Sequence, residues 1–420
     1  MYSIYGYIIN RKPTLMKKSF LYSLGSVLFS LSSMLWLVVV TRVLDTFASG
    51  VFSIGWAICQ QMATIGYFGM RNVQVSDIDD EIGSGTFILV KFFSILSMLG
   101  VSVIYCLYLG LSSEKVVISI LLTILMATES LADLSAGFFQ KNDRLDITGL
   151  SYIIRVSLYS ITFIFSILIY KSLILSIFLA ILLSFFWLIV FDFPILLKMN
   201  LFKFDGVSYK SIINLFFMCL PIFFSSYLTN LLITIPKNSI ELNLTTVDQS
   251  MFNLIFMPSS IMKMALGILL IPLYRKITLM WKDRDYSGLK KFIIMIIVAI
   301  FFLTIVLIVL TILIGIPFLT IVYGVSISSQ EIPLILLIIA GSLNGIATFF
   351  IFILTVFNRQ FYLLYIYGIT VLLSMAITNK MVINYHILGA SGSYLITSTI
   401  LLSFLCIICI FFFKKEEKNN

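Results

Sequence analysis

Twelve times between residues 19 and 413 the chain runs apolar for long enough to cross a bilayer, and the connections between these runs are short. A spanning helix needs about 20 predominantly apolar residues. The runs fall at roughly 19–40, 47–70, 84–109, 116–138, 147–170, 173–197, 211–233, 250–273, 290–315, 332–355, 361–378 and 387–413. Composition supports this reading, with 60% hydrophobic residues, 11% charged residues and a mean hydropathy of +1.10, against about a quarter charged in a soluble domain. The pattern predicts an all-α, multi-pass integral membrane protein with about twelve transmembrane helices. It leaves no loop large enough for a separate soluble domain.

The net charge of +9 would suggest nucleic acid in a soluble protein, but here it orients the chain, and no nucleic-acid partner is expected. With the N-terminus inside, the inner segments carry 20 of the 28 Lys and Arg residues and the outer segments carry five. That asymmetry follows the positive-inside rule and predicts cytoplasmic N- and C-termini. The expected organisation is a retained cytoplasmic segment at 1–18, six helices over 19–197, a cytoplasmic linker at 198–210, six helices over 211–413 and a tail at 414–420. Because each half starts on the same side, the halves are expected to be parallel repeats about a pseudo-twofold axis along the membrane normal, an arrangement that places a transporter's substrate between two bundles.

Several chemistries find no support. There is no GxxxxGK[ST] phosphate loop for ATP hydrolysis and no HExxH, and the single His386 opens the last run as an interfacial residue. The five cysteines, including the CxxC at Cys406 and Cys409, lie in apolar runs and read as small hydrophobes, not metal ligands. The longest outer connections, about 234–249 and 316–331, carry few charges, which argues for moving a substrate over transforming it. No cofactor and no metal are expected.

The informative residues are charges at membrane depth, where they normally face a bundle interior or a wet cavity and serve a pathway. Glu129 and Asp133, four apart, share one helix face. Arg155 returns in the next helix to a depth near Asp133, so an Asp133–Arg155 ion pair would clasp the two helices. Lys263 lies near the middle of its run, whereas Lys91 is close enough to the inner side to snorkel. Arg42 closes the first span at the outer side, Lys237 follows the seventh, and Arg71 reads as an inner anchor. Gln60, Gln61 and Asn230 offer polar groups to sugar hydroxyls or to a neighbouring helix. Together Arg42, Arg155 and Lys263, with Lys237, predict a positive cavity flanked by a few acids and suited to an anionic head group, since Arg forks and Lys point charges match phosphate oxygens.

LVVVTRVLDTFASGVFSIG with IGYFGMRN, LADLSAGFFQKNDR with the later IIR, LPIFFSSYLTN with IPKNSIE, MFNLIFMPSSIMKMALGILLIPLYRKI and ILGASGSYLIT together resemble polysaccharide exporters of the multidrug/oligosaccharidyl-lipid/polysaccharide (MOP) superfamily. Within it the chain resembles the Wzx-type lipid-linked oligosaccharide flippases of O-antigen and capsule pathways. The resemblance implies translocation of an undecaprenyl-diphosphate-linked oligosaccharide from the inner to the outer leaflet of a bacterial plasma (inner) membrane, with polysaccharide polymerase and chain-length proteins as partners. It maps central-cavity charges onto Arg42, Asp133, Arg155 and Lys263. Twelve spans depart from the fourteen usual in lipid II flippases, and the deep acids lie in helix four, where many drug exporters keep theirs in helix one.

The expected function is therefore a flippase working by alternating access. Arg42, Arg155, Lys263, Asn230 and Gln60 are the candidate substrate-binding residues, and Glu129 and Asp133 are candidates for proton or sodium coupling. Two rival readings stand beside it: a cation-coupled multidrug antiporter of the same superfamily, and an integral membrane O-antigen polymerase or ligase.

Overall fold

The computed structural model describes the backbone of residues 2–10, 14–77, 81–204, 206–357, 359 and 361–418, and the side chains of these residues apart from 2–4, 15, 261–276 and 416–418. Among the described residues every regular element is a helix. Among the described residues nine helical segments are long and apolar enough to cross a membrane, so the protein is a multi-pass membrane protein.

The chain folds as two units, Met1–Tyr227 and Leu228–Asn420. In the first unit a short helix α1 (Tyr2–Asn10) precedes α2 (Leu15–Val43), α3 (Thr46–Tyr67), a short α4 (Met70–Ser76), α5 (Ser84–Tyr108), α6 (Ser113–Lys141), α7 (Leu145–Tyr170) and α8 (Leu173–Trp187). A π-helical turn, Leu188–Asp192, joins α8 to α9 (Phe193–Lys198). The connection 199–208, which lies within the expected linker 198–210, leads into α10 (Tyr209–Asn243), and the division into units falls inside that helix.

Small residues set the closest helix approaches of the first unit. α2 runs along α7, and α3 along α6. At Gly149 of α7 an added Cβ would lie 2.6 Å from the backbone nitrogen of Tyr22, so only glycine permits this approach of backbones. Trp36 stacks on Phe163 at 3.9 Å between ring centres and meets Tyr159 edge-on at 5.8 Å. A second apolar cluster gathers Phe68, Phe87, Phe138, Phe139, Phe191 and Ile195, with Tyr5, Ile8 and Ile9 of α1 along its edge.

In the second unit α10 leads to α11 (Thr246–Lys282), α12 (Tyr286–Leu310), a second π-helical turn at Thr311–Gly315, α13 (Ile316–Tyr323), α14 (Glu331–Val356) and α15 (Tyr362–Lys418). Both π turns end two residues before a proline, Pro194 and Pro317. Proline lacks the N–H for a helical bond and its ring clashes with the carbonyl four residues back, which forces the wider turn. The apolar part of α15, 54 residues, would extend for about 80 Å as a straight helix, too long for one crossing of a ~30 Å core. It is two helices joined at His386, whose backbone is non-helical at φ 52° and ψ −131°.

The long outer connections expected at 234–249 and 316–331 do not form. α10 continues to Asn243, and α11 starts at Thr246 behind a capping box in which Thr245 and Asp248 exchange side-chain and backbone hydrogen bonds. α13 likewise continues to Tyr323, where Gly324 closes it in the left-handed conformation. The connection after α11 is short as well, because α11 runs to Lys282 and α12 starts at Tyr286. At Thr245 and Gly324 the helix ends are set by capping chemistry, which hydropathy does not register.

Candidate functional site

The first unit holds two clusters of opposite charges, Arg155 with Glu129 and Asp192, all buried, and Asp133 with Arg71 and the buried Lys91, where Asp133 and Arg71 are partly buried. Their framework is the α6–α7 hairpin. α6 stops at Lys141, and the chain reverses through Asp143 at φ 58° and enters α7 at Leu145. Counted from Asp143 at 1.5 Å per residue, Asp133 lies about 15 Å, Arg155 about 18 Å and Glu129 about 21 Å from the turn. Depth alone does not choose between the two acids, and the helix face does. Arg155 turns to Glu129, with Nε donating to Oε1 at 3.1 Å and Nη2 to Oε2 at 2.8 Å. The expected Asp133–Arg155 pair therefore gives way to Glu129–Arg155. Both residues are 4% exposed.

A second acid joins Arg155 from the turn that follows α8. Oδ2 of Asp192, the last residue of the first π turn, lies 3.7 Å from Nη1 of Arg155. Sequence reasoning passed over Asp192, although it is the only acid in the run 173–197 and stands two residues before a proline. The guanidinium carbon of Arg155 also lies 5.5 Å from the ring centre of Tyr152. Trp187, just over one turn before Asp192, donates from Nε1 to the Ser151 hydroxyl at 3.0 Å.

Asp133 faces the other way, toward α4 and α5. Its Oδ1 lies 3.6 Å from Nη1 of Arg71 and its Oδ2 lies 3.7 Å from Nζ of Lys91. Arg71 is no simple anchor. It donates from Nε and Nη2 to the Gln140 side-chain oxygen at 3.0 and 2.7 Å and from Nη1 to the Tyr22 hydroxyl at 2.8 Å, and it lies 4.7 Å from the centre of the Tyr22 ring.

Lys91 does not snorkel. It is 1% exposed and donates to the carbonyls of Gly66 and Tyr67 at 3.1 and 3.3 Å. These carbonyls are available because α3 ends there. Phe68 and Gly69 both take positive φ, 52° and 65°, which breaks the helix and leaves its last carbonyls without helical donors. Ser94 and Ser130 donate to the same Gly66 carbonyl at 3.0 and 2.6 Å. A cation at the negative end of a helix is favourable, and here it lies inside the bundle.

The other sequence candidates fall outside these clusters. Arg42 is exposed in the last turn of α2, where a cation faces the helix's terminal carbonyls. Gln60 Nε2 approaches the Met126 sulfur at 3.8 Å, and Gln61 donates to the Tyr227 carbonyl at 3.1 Å. Asn230 and Lys237 belong to the second unit. Asn230 is half-buried, and the ammonium of Lys237 lies 4.8 Å from the ring centre of Phe256. The side chain of Lys263 lies outside the described residues. In the first unit Arg155 stands beside two acids, and Asp133 beside two cations.

The second unit has a polar region of a different kind. Asn344 of α14 donates to the Ala340 carbonyl at 2.8 Å, the Ser398 hydroxyl at 2.8 Å and the Tyr394 hydroxyl at 3.3 Å. Asn344, Ser398 and Tyr394 line a small cavity of about 30 Å³ with Thr229, Thr348 and Tyr367. Its lining is uncharged. No group of three or more His, Cys, Asp or Glu side chains able to hold a metal occurs among the described residues.

No family model and no curated protein matches the sequence. Solved structures do share its fold. The lipid II flippase MurJ in an inward-closed conformation superposes with a TM-score of 0.72 at 15% identity, over 94% of this chain and 89% of that chain. An inward-facing multidrug resistance MATE family transporter of the MOP superfamily superposes with a TM-score of 0.65 at 13% identity, over 92% and 95%. A MOP superfamily transporter from Pyrococcus furiosus, described by a binding pocket of reversed polarity, gives 0.56 at 12% identity over 96% and 94%. These neighbours are transporters and flippases, not enzymes, and the chain has the fold of MOP superfamily transporters.

Proposed function

We propose that this chain is a flippase that moves an undecaprenyl-diphosphate-linked oligosaccharide from the cytoplasmic to the outer leaflet of a bacterial plasma membrane by alternating access. The observation that carries the reading is the pair of charge clusters inside the first unit, Arg155 with Glu129 and Asp192, and Arg71 and Lys91 with Asp133. A helix bundle that only had to be stable would do as well or better with apolar side chains at these positions. Charges kept at membrane depth serve a pathway. Arg155 and Arg71 are forks that a diphosphate can contest with the resident carboxylates, and Glu129 and Asp133 are the groups on which a proton or a sodium ion would act.

The same proposal includes twelve spans, two six-helix halves joined through 198–210, cytoplasmic termini, and Arg42, Gln60, Asn230 and Lys263 as further substrate contacts. It is supported by the distribution of Lys and Arg along the chain, by the break of α15 at His386, and by the presence of a lipid II flippase among the fold neighbours. Partner polymerase and chain-length proteins belong to this reading.

The test is complementation of a deletion strain, scored by surface glycan. Arg155→Lys keeps the charge but loses the fork, and Lys263→Ala removes a mid-span cation. Each is expected to abolish surface glycan at unchanged protein level, and full activity of both would refute the assignment. The second reading, a cation-coupled multidrug antiporter, draws on one observation: two carboxylates, Glu129 and Asp192, face the single Arg155. It predicts drug hypersensitivity of the deletion strain with surface glycan intact.

A further inference from the structure

The position of Asp192 is not set by hydrogen bonds of its own. Its polar neighbours are Arg155 and Ser151, yet neither carboxylate oxygen makes a hydrogen bond of ordinary geometry. What aims it at Arg155 is the backbone of the π turn Leu188–Asp192. That turn exists because of Pro194. The carbonyl four residues before Pro194 belongs to Val190, and it loses its helical donor to the proline ring. An unpaired carbonyl inside a membrane bundle is costly.

The missing donor comes from the other end of the unit's sequence. The hydroxyl of Tyr5, in α1, donates to the Val190 carbonyl at 2.5 Å. Two further contacts hold α1 in place. Lys198, in the last turn of α9, lies 4.8 Å from the ring centre of Tyr5. Arg144, in the α6–α7 hairpin, donates to the carbonyl of Ile8 at 2.6 Å and to that of Ile9, and also binds Asp146 at 3.0 Å. The last carbonyls of a helix have no partners within it, so Arg144 acts as a cap supplied from a distant segment. α1 thus connects the hairpin that carries Glu129 and Arg155 with the turn that carries Asp192.

We propose that Tyr5 is a positioning residue, whose hydroxyl holds the π turn that presents Asp192 to Arg155, and that α1 is a strap joining the two elements of the buried charge network. Its functional side rests on the network belonging to the transport path, and its structural side does not.

Hydrogen–deuterium exchange on the full-length protein in lipid nanodiscs tests the structural side. Tyr5→Phe keeps the ring, the Lys198 contact and the Arg144 cap but removes the hydroxyl. Loss of a hydrogen bond worth about 1 kcal/mol corresponds to about fivefold faster exchange. Acceleration of that order is expected in peptides covering 186–196, with exchange of 2–10 unchanged. Pro194→Ala restores an amide to Val190, so in that background Tyr5→Phe is expected to change nothing at 186–196. Unchanged exchange at 186–196 in Tyr5→Phe, or an equal acceleration in the Pro194→Ala background, would overturn the proposal; the second result keeps it testable if α1 detaches. In the surface-glycan assay Tyr5→Phe is expected to share the defect of Asp192→Asn, with the double variant no worse than either. Normal glycan levels in both Arg155→Lys and Lys263→Ala would remove the transport reading and leave the exchange result standing.

Discussion

Arg155 holds Glu129 with two parallel hydrogen bonds, Nε to Oε1 at 3.1 Å and Nη2 to Oε2 at 2.8 Å, where both side chains are almost wholly buried. Removing one partner of such a pair leaves a charge without compensation, which costs ~3–5 kcal/mol, more than the pair itself contributes over an apolar substitute. Arg155→Met is therefore expected to destabilise the detergent-solubilised protein by about that amount. Adding Glu129→Gln should recover part of the loss, because the stranded carboxylate is its main source. Chemical unfolding followed by intrinsic fluorescence measures all three variants, and strictly additive losses would contradict the bidentate assignment.

Asp192 is expected to behave in the opposite way. Its carboxylate oxygens have no hydrogen bond of ordinary geometry to lose, and Arg155 keeps Glu129 as its near partner. Asp192→Asn preserves shape and should alter stability by no more than ~1 kcal/mol, the scale of a single net hydrogen bond. Transport in the complementation assay should nonetheless fall at least tenfold. A variant that unfolds easily, or one that transports normally, would show that Asp192 serves the fold and not the path.

These two acids also show how much of the site was legible in the sequence. Glu129, Asp133 and Arg155 stand out because they interrupt apolar runs, and their placement in a helical hairpin follows from the short charged turn between them. Their pairing does not follow. When nearly every face of a helix is apolar, no contrast between faces indicates which acid points at which neighbour. Asp192 acquires its meaning only through the π turn that Pro194 imposes. Lys91 is hidden for another reason. Its partners are carbonyls freed by the break at Phe68 and Gly69, and a search for complementary side chains does not find backbone atoms. The apolar runs, by contrast, anticipate long apolar helices, nine of which are long and apolar enough to cross a membrane among the described residues, and they miss ends such as that set by the Thr245 capping box.

Lys91 carries its own prediction. Its ammonium compensates two terminal carbonyls of α3 and contributes to the ion pairing of Asp133. Lys91→Met retains the stem volume but removes every donor. Ser94 and Ser130 still serve Gly66, whereas the Tyr67 carbonyl loses the donor Lys91 supplies, so a loss of ~2–4 kcal/mol is expected from hydrogen bonds to a buried charged group. Lys91→Arg should not restore it, since a planar fork does not replace a compact ammonium among converging carbonyls. Equal stability of Lys91→Met and the parent protein in the same unfolding assay would return Lys91 to the role of a surface cation.

The last prediction turns on Gln74 and Gly137, and on a change of sign. Gln74 is fully buried on α4, and neither its Oε1 nor its Nε2 has a hydrogen-bond partner. Its amide lies where a Cβ on Gly137 would stand. Gly137 is inside α6, where alanine is favoured over glycine by about 0.8–1.0 kcal/mol if space allows. Space does not allow it while Gln74 is present, so Gly137→Ala alone should destabilise by ~1–3 kcal/mol through overpacking. Gln74→Ala removes two unpartnered polar atoms and empties the site, and in that background Gly137→Ala should stabilise by about 1 kcal/mol. A double-mutant cycle by chemical unfolding reads the sign directly, and destabilisation by Gly137→Ala in both backgrounds would mean that something other than the Gln74 amide requires glycine at this point of α6.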